Sequence, residues 1–266
     1  MSLCINPRFA PATRLLWHSG VLGALELIRQ AGFGASEVWA QHLWESNVTP
    51  EEVRAKAENL ELQVSLHAPS YDLNPLSSNP EIRAISRHQV LASLETAARI
   101  GANMVVVHPG HLSSNTDDVE VYWERLEDFV HDLNSRAAML GVTVGIEGME
   151  KKKLQFVTDL ESLKRLAEIL EKHHLNHLGI TLDVAHAGTL GEPQEYIEHT
   201  PRVIHAHLSD SSPGKTHALL NEGDLGLKKI VPKLLTRFEG LIAIEGRMAA
   251  DEARALKVAK EFLKHY

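Results

Sequence analysis

Short apolar runs alternate with longer amphipathic ones from one end of the chain to the other, and no other feature restricts the fold as much. Apolar runs of roughly four to eight residues bounded by turn signals read as buried strands; runs with a 3.6-residue period read as helices. Strands are expected at Ser2–Asn6, Glu37–Ala40, Gln63–His67, Asn103–His108, Val142–Glu147, Leu178–Asp183, Val203–Leu208 and Leu241–Glu245. Helices are expected at Gly20–Ala31, from Pro50 to near Leu60, from Pro80 to Ile100, and at Asp117–Leu140, Asp159–His174, Pro193–His199, Leu225–Phe238 and Ala249–His265. Local chemistry supports several boundaries. Thr49-Pro50-Glu51-Glu52 is an N-cap, a proline at the first helical position and early acids. Gly101 and Gly141 each follow the last periodic residue of a helix, where left-handed backbone is needed.

About eight strand–helix units with short links and no linker-like stretch predict one α/β domain over residues 1–266, a (β/α)8 TIM barrel. A doubly wound open sheet is the competing architecture, and no glycine-rich dinucleotide or phosphate loop supports it.

The strand ends carry the chemistry. The last polar residues of six strands are His67, His108, Glu147, Asp183, His207 and Glu245. In a parallel barrel all of them face one mouth. The positions two back, which also point inward, are Ser65, Val106, Gly145, Thr181, His205 and Ala243; several are small, as a crowded barrel interior requires. Three carboxylates gathered without a cation would repel one another. A divalent ion removes that difficulty, imidazole adds a directional nitrogen, and open positions remain for substrate oxygens. Asp183 and His207, and with them Glu147 and Glu245, are therefore expected to share a metal, of which manganese, magnesium, cobalt and zinc all suit the donor set. Trp39, Trp44 and Tyr71 follow strands two and three, where aromatics either stack on a sugar face or cap the barrel core.

Composition narrows the partners. A formal charge of -8 argues against a general nucleic-acid surface, and no apolar stretch is long enough to span a membrane. The single cysteine, Cys4, excludes an intrachain disulfide, reads as a small buried hydrophobe and suits a cytoplasmic setting. The Lys151-Lys152-Lys153 run reads as a solvated loop.

Four segments carry a resemblance: Ser65-Leu66-His67-Ala68-Pro69, Val107-His108-Pro109-Gly110, Leu182-Asp183-Val184-Ala185-His186 and His207-Leu208-Ser209-Asp210-Ser211. They resemble the xylose isomerase-like TIM-barrel superfamily, which includes endonuclease IV, ketose 3-epimerases, hydroxypyruvate isomerases and inosose dehydratases. The resemblance implies a central metal on Glu147, Asp183, His207 and Glu245. The endonuclease IV pattern implies more: His67 and His108, with Glu147 bridging, complete a second site, and His186 and His217 match two ligands of a third. Two departures count against that pattern. Lys215 stands where the third site needs an aspartate, and Glu147-Gly148-Met149-Glu150 replaces a Glu-Asn-Thr stretch.

The epimerase and isomerase pattern asks for the four central ligands, a histidine near the aspartate and a cation for substrate oxygens. His186 and Lys215 suit those roles, with His217 and Glu150 as further substrate contacts. The function expected is a metal-dependent sugar isomerase or epimerase, with Glu147 and Glu245 moving a proton beside a carbonyl. The alternatives are a zinc phosphodiesterase acting on abasic DNA and a dehydratase of the same superfamily. Asn221-Glu222-Gly223-Asp224 resembles a loop that closes over the mouth in that group; otherwise it is a glycine turn opening the next helix. Barrels of this kind often pair through their helical faces, which leaves a homodimer open.

Overall fold

The computed structural model describes residues 5–191, 193–213 and 215–266. Eight parallel strands form one sheet. In chain order they are β1 (Phe9–Pro11), β2 (Ala35–Trp39), β3 (Gln63–His67), β4 (Met104–Val107), β5 (Thr143–Glu147), β6 (Leu178–Asp183), β7 (Val203–Leu208) and, after a small hairpin, β10 (Ile242–Ile244). Their spatial order is β1, β10, β7, β6, β5, β4, β3, β2, and a parallel bridge between Ala12 and Glu37 brings the two edges together into a nearly closed barrel. The hairpin, β8 (Asp210–Ser212) against β9 (Lys215–Ala218), hangs beyond the end of β7.

Helices fill the intervals: α1 (Gly20–Ala31), α2 (Ala40–Glu45), α3 (Pro50–Asn59), α4 (Pro80–Ile100), α5 (Val119–Leu140), α6 (Leu160–Lys172), α7 (Val184–Gly188), α8 (Pro193–His199), α9 (Leu227–Arg237) and α10 (Glu252–Leu263). Their starts follow from local hydrogen bonding. Thr49 and Glu52 cap each other's backbone N–H groups at α3, Asn79 accepts from Glu81 and Ile82 at α4, and Asp159 accepts from Ser162 at α6. Leucine, isoleucine, valine and phenylalanine on their inner faces meet the outward face of the sheet in one continuous core.

The first strand is not where the sequence places it. Residues 1–4, Cys4 among them, lie outside the described residues, and Ile5 and Asn6 form no strand. The strand is Phe9-Ala10-Pro11, too short and too close to proline to stand out as an apolar run. A 3-10 turn, Thr13–Ser19, follows it. Register then fixes what faces what inside the barrel. Glu37 lies beside Ser65, Trp39 beside His67, Thr181 beside His205, and Asp183 beside His207.

Candidate metal centre

His207 occupies the middle of the barrel mouth, fully buried at the end of β7. Its Nδ1 is 2.9 Å from Glu245 Oε2, 3.3 Å from Glu147 Oε1 and 3.8 Å from Asp183 Oδ2. Its Nε2 faces the other way, 3.2 Å from Glu37 Oε1. A bare nitrogen lone pair against a carboxylate would be repulsive, so Nε2 carries a proton toward Glu37 and, without a cation, Nδ1 carries one toward the three acids; a divalent ion would take the place of that second proton. A carboxylate behind an imidazole in this way can fix the ring's orientation toward a cation. Glu37 itself is held by Ser65 Oγ (3.1 Å) and His205 Nε2 (3.0 Å).

Whether a cation fits can be tested on the buried polar atoms. His207 Nδ1, Glu147 Oε2, Asp183 Oδ2 and Glu245 Oε2 are all buried, and none satisfies hydrogen-bond geometry with a protein partner. Buried carboxylates without partners are costly. One donor atom from each of Glu147, Asp183, His207 and Glu245 lies within 4.8 Å of the others. Three anionic oxygens and one imidazole nitrogen at that separation fit a divalent ion.

Three further donor groups adjoin the first: Glu37, His205 and His207 behind it, and two on its flanks. His67, His108 and Glu147 meet the same criterion, as do Asp183, His186 and His217. His67 Nδ1 donates to the Ala68 carbonyl (2.8 Å), which leaves its Nε2 toward Glu147, 3.5 Å from Oε2; His108 Nε2 is 3.0 Å from the same oxygen. His186 Nδ1 donates to Gly148 O (2.9 Å), and its Nε2 faces His217 Nε2 at 3.2 Å. Two such nitrogens need a proton or a cation between them. His217 lies in the left-handed backbone region (φ 59°), an unfavourable conformation for a non-glycine residue and one that clusters at functional sites.

Charge state follows from this crowding. Burial opposes ionisation of Glu147 and Glu245, but the surrounding imidazoles together outweigh it, His207 and then His108 for Glu147, His217 and then His207 for Glu245, so both carboxyls lie well below the usual range. Burial would lower His207, yet Glu37, Glu147 and Glu245 raise it well above an ordinary imidazole. Asp183 is raised, by burial first and then by the neighbouring Glu245 and Glu147 against the pull of His186 and His217.

The sequence pattern described as "xylose isomerase-like TIM barrel" matches residues 25–266. The chain belongs to that family. An uncharacterised protein of Methanocaldococcus jannaschii is 25% identical over 98% of this chain and 90% of its own length. A probable endonuclease 4 of Mycobacterium ulcerans is 26% identical over 70% of this chain and 72% of its own. A crystal structure of a D-tagatose 3-epimerase-like protein superposes with a TM-score of 0.81, at 25% identity, over 97% of each chain.

In this xylose isomerase-like barrel the centre opens into a mouth of about 570 Å³. Trp39 is its floor, buried and stacked on His67 with ring centroids 4.1 Å apart. Arg14 lies over Trp39 (4.4 Å to the ring) and donates to Glu245 Oε1 (3.1 Å). Tyr71 is half-exposed beside them. Trp44 is exposed on α2 and is not part of the lining.

The structure thus brings His67, His108, Glu147, Asp183, His186, His207, His217 and Glu245 together. Glu150 lines the same mouth, bonded to Lys152 and Thr216. Lys215 is exposed and faces an adjoining hollow. The Asn221–Asp224 turn packs back on the hairpin, with Asp224 N donating to Ser211 O at 2.7 Å. Two residues escape the sequence reading. Arg14 follows the misplaced first strand. Glu37 was visible as a charged residue inside an apolar strand, the signal that would have found it.

Proposed function

We propose that this chain is a metal-dependent isomerase or epimerase acting on a small sugar-like hydroxy-carbonyl compound. The carrying observation is the pair Glu147 and Glu245. They approach His207 from β5 and from the end of β10, each with one oxygen toward the shared ligand group and the other turned away, Glu147 Oε2 to His108 and Glu245 Oε1 to Arg14. A divalent cation on Glu147, Asp183, His207 and Glu245 would supply Lewis-acid stabilisation of negative charge on a substrate oxygen.

The chain's own residues do the rest. Glu147 and Glu245 reach the ligand group from different strands, so either carboxylate is placed to take the proton beside a carbonyl. Returning that proton to the adjacent carbon gives isomerisation; returning one to the opposite face of the same carbon gives epimerisation. Tyr71, half-exposed at the rim of the mouth, offers an aromatic surface on which a sugar face can lie. Arg14 fixes the far oxygen of Glu245 and thereby its orientation. The similarity to a D-tagatose 3-epimerase-like protein supports the substrate class. Hydrogen exchange from deuterated solvent into ketoses, followed by NMR on metal-loaded protein, tests the reading. Glu147→Gln and Glu245→Gln should each lower exchange by roughly a hundredfold or more. Exchange retained in both variants overturns it, and loss of water from the substrate would identify a dehydratase instead.

A second reading has its own observation. A central donor group with one on each flank at the barrel mouth, and a relative described as a probable endonuclease 4, favour a multi-metal phosphodiesterase. Elemental analysis showing two or three zinc ions per chain, with nicking of an abasic duplex, would establish it. One metal per chain and no nicking would remove it.

A further inference from the structure

Beside the mouth lies a second hollow of about 620 Å³, and Glu150, Lys152, Thr216 and Arg247 line both. Its charge runs against that of the molecule. The chain as a whole has 35 acids and 27 Lys and Arg residues, whereas here Lys151, Lys152, Lys215 and Arg247 face only Glu150 and Asp224. Glu150 is already engaged by Lys152 and by the Thr216 hydroxyl (3.3 Å), and Lys151 lies 3.7 Å from Asp159. Among the described residues, Lys215 and Arg247 make no ion pair.

Their place in the chain ties them to the centre. Lys215 opens β9 two residues before His217, and Arg247 follows Glu245 by two. Any group bound between them is therefore held at a fixed reach from the ligand cluster. We infer that this hollow is an anion subsite and that the substrate is a phosphate ester of a small hydroxy-carbonyl compound, an inference that rests on the reaction proposed above. A guanidinium fork and a lysine ammonium from different segments, with the hydroxyl of Ser212 in the same hollow, suit a tetrahedral dianion better than a planar carboxylate.

Two measurements on the metal-loaded full chain test this. Calorimetry with inorganic phosphate compares wild type with Lys215→Met and Arg247→Met; binding should weaken by roughly tenfold or more in each, as loss of one charge-assisted contact implies. Deuterium exchange then compares a neutral ketose with the phosphate ester of the same ketose. The ester should have the higher kcat/KM by about a hundredfold, the two charge-assisted contacts together. That advantage should shrink in both variants and return in Lys215→Arg. If ester and neutral ketose exchange equally, or if the advantage survives both substitutions, the subsite is wrong. If no ketose of either kind exchanges but phosphate binding falls in the variants, the subsite stands and the proton-transfer reading falls. Phosphate binding that is the same in all three proteins means an adventitious ion on the metal only and also overturns the subsite.

Discussion

Glu37 is fully buried near the start of the barrel interior, yet it stays ionised: burial pushes its carboxyl up, and His207 and His205 more than compensate, holding it far below the usual range. A buried carboxylate so placed has one evident task, which is to hold the His207 ring with Nε2 toward it and Nδ1 toward the three acids. Glu37→Gln keeps the shape but replaces the anion by an amide that can present either a donor or an acceptor. Affinity for manganese or zinc, measured by calorimetry, should fall about ten- to a hundredfold. Unchanged affinity would mean that the ring is fixed by packing alone.

At the scale of elements, the barrel narrows where β5 and β6 pass each other. A Cβ on Gly145 would sit 2.1 Å from Thr181 Oγ1 and 2.6 Å from Met104 Cε. Gly145→Ala should therefore lower stability by about 1–3 kcal/mol through overpacking, read as a lower denaturation midpoint; an unchanged midpoint would show that β5 can shift at no cost. The small residue at this inward position was legible in the sequence, because parallel strands point alternate side chains into the barrel. So were several boundaries: Gly20–Ala31, Gln63–His67, Leu178–Asp183, Pro193–His199 and Val203–Leu208 coincide with the observed elements. What was not legible is physical too. Ala40–Glu45 and Val184–Gly188 are single-turn helices, too short for a period to register. The β8–β9 hairpin is polar throughout, so no apolar alternation announces it. A register shift in the hairpin and the left-handed backbone of His217 break the alternation that would put both on one face, so His217 turns toward His186 while Lys215 faces the neighbouring hollow, and spacing alone could not separate those two.

For the molecule as a whole, the centre is a charge balance that a metal and protons settle between them. Without metal, the raised pKa of His207 means that its contribution to stability is full below about pH 6.5 and is lost as pH rises through the elevated folded value. Glu147 and Glu245 are lowered, so their contribution is full above about pH 4.3 and is lost as pH falls through the depressed folded values. Asp183, raised by burial and by its acidic neighbours, works in the opposite sense: its ionisation costs stability as pH rises above the unfolded value. These four groups taken alone favour the acidic side of neutrality, and His42, His108 and His205, whose values burial depresses, oppose them as pH falls below about 6.5. A divalent ion needs the His207 Nδ1 lone pair and an ionised Asp183, so binding displaces protons, and its stabilising effect grows with pH. Thermal melts of chelated and metal-loaded protein from pH 5.5 to 8.5, a range chosen to straddle the unfolded imidazole value of about 6.5, should show the gap in Tm widening steadily. A gap that is constant across that range would mean that no proton leaves on binding, and that His207 is not a ligand.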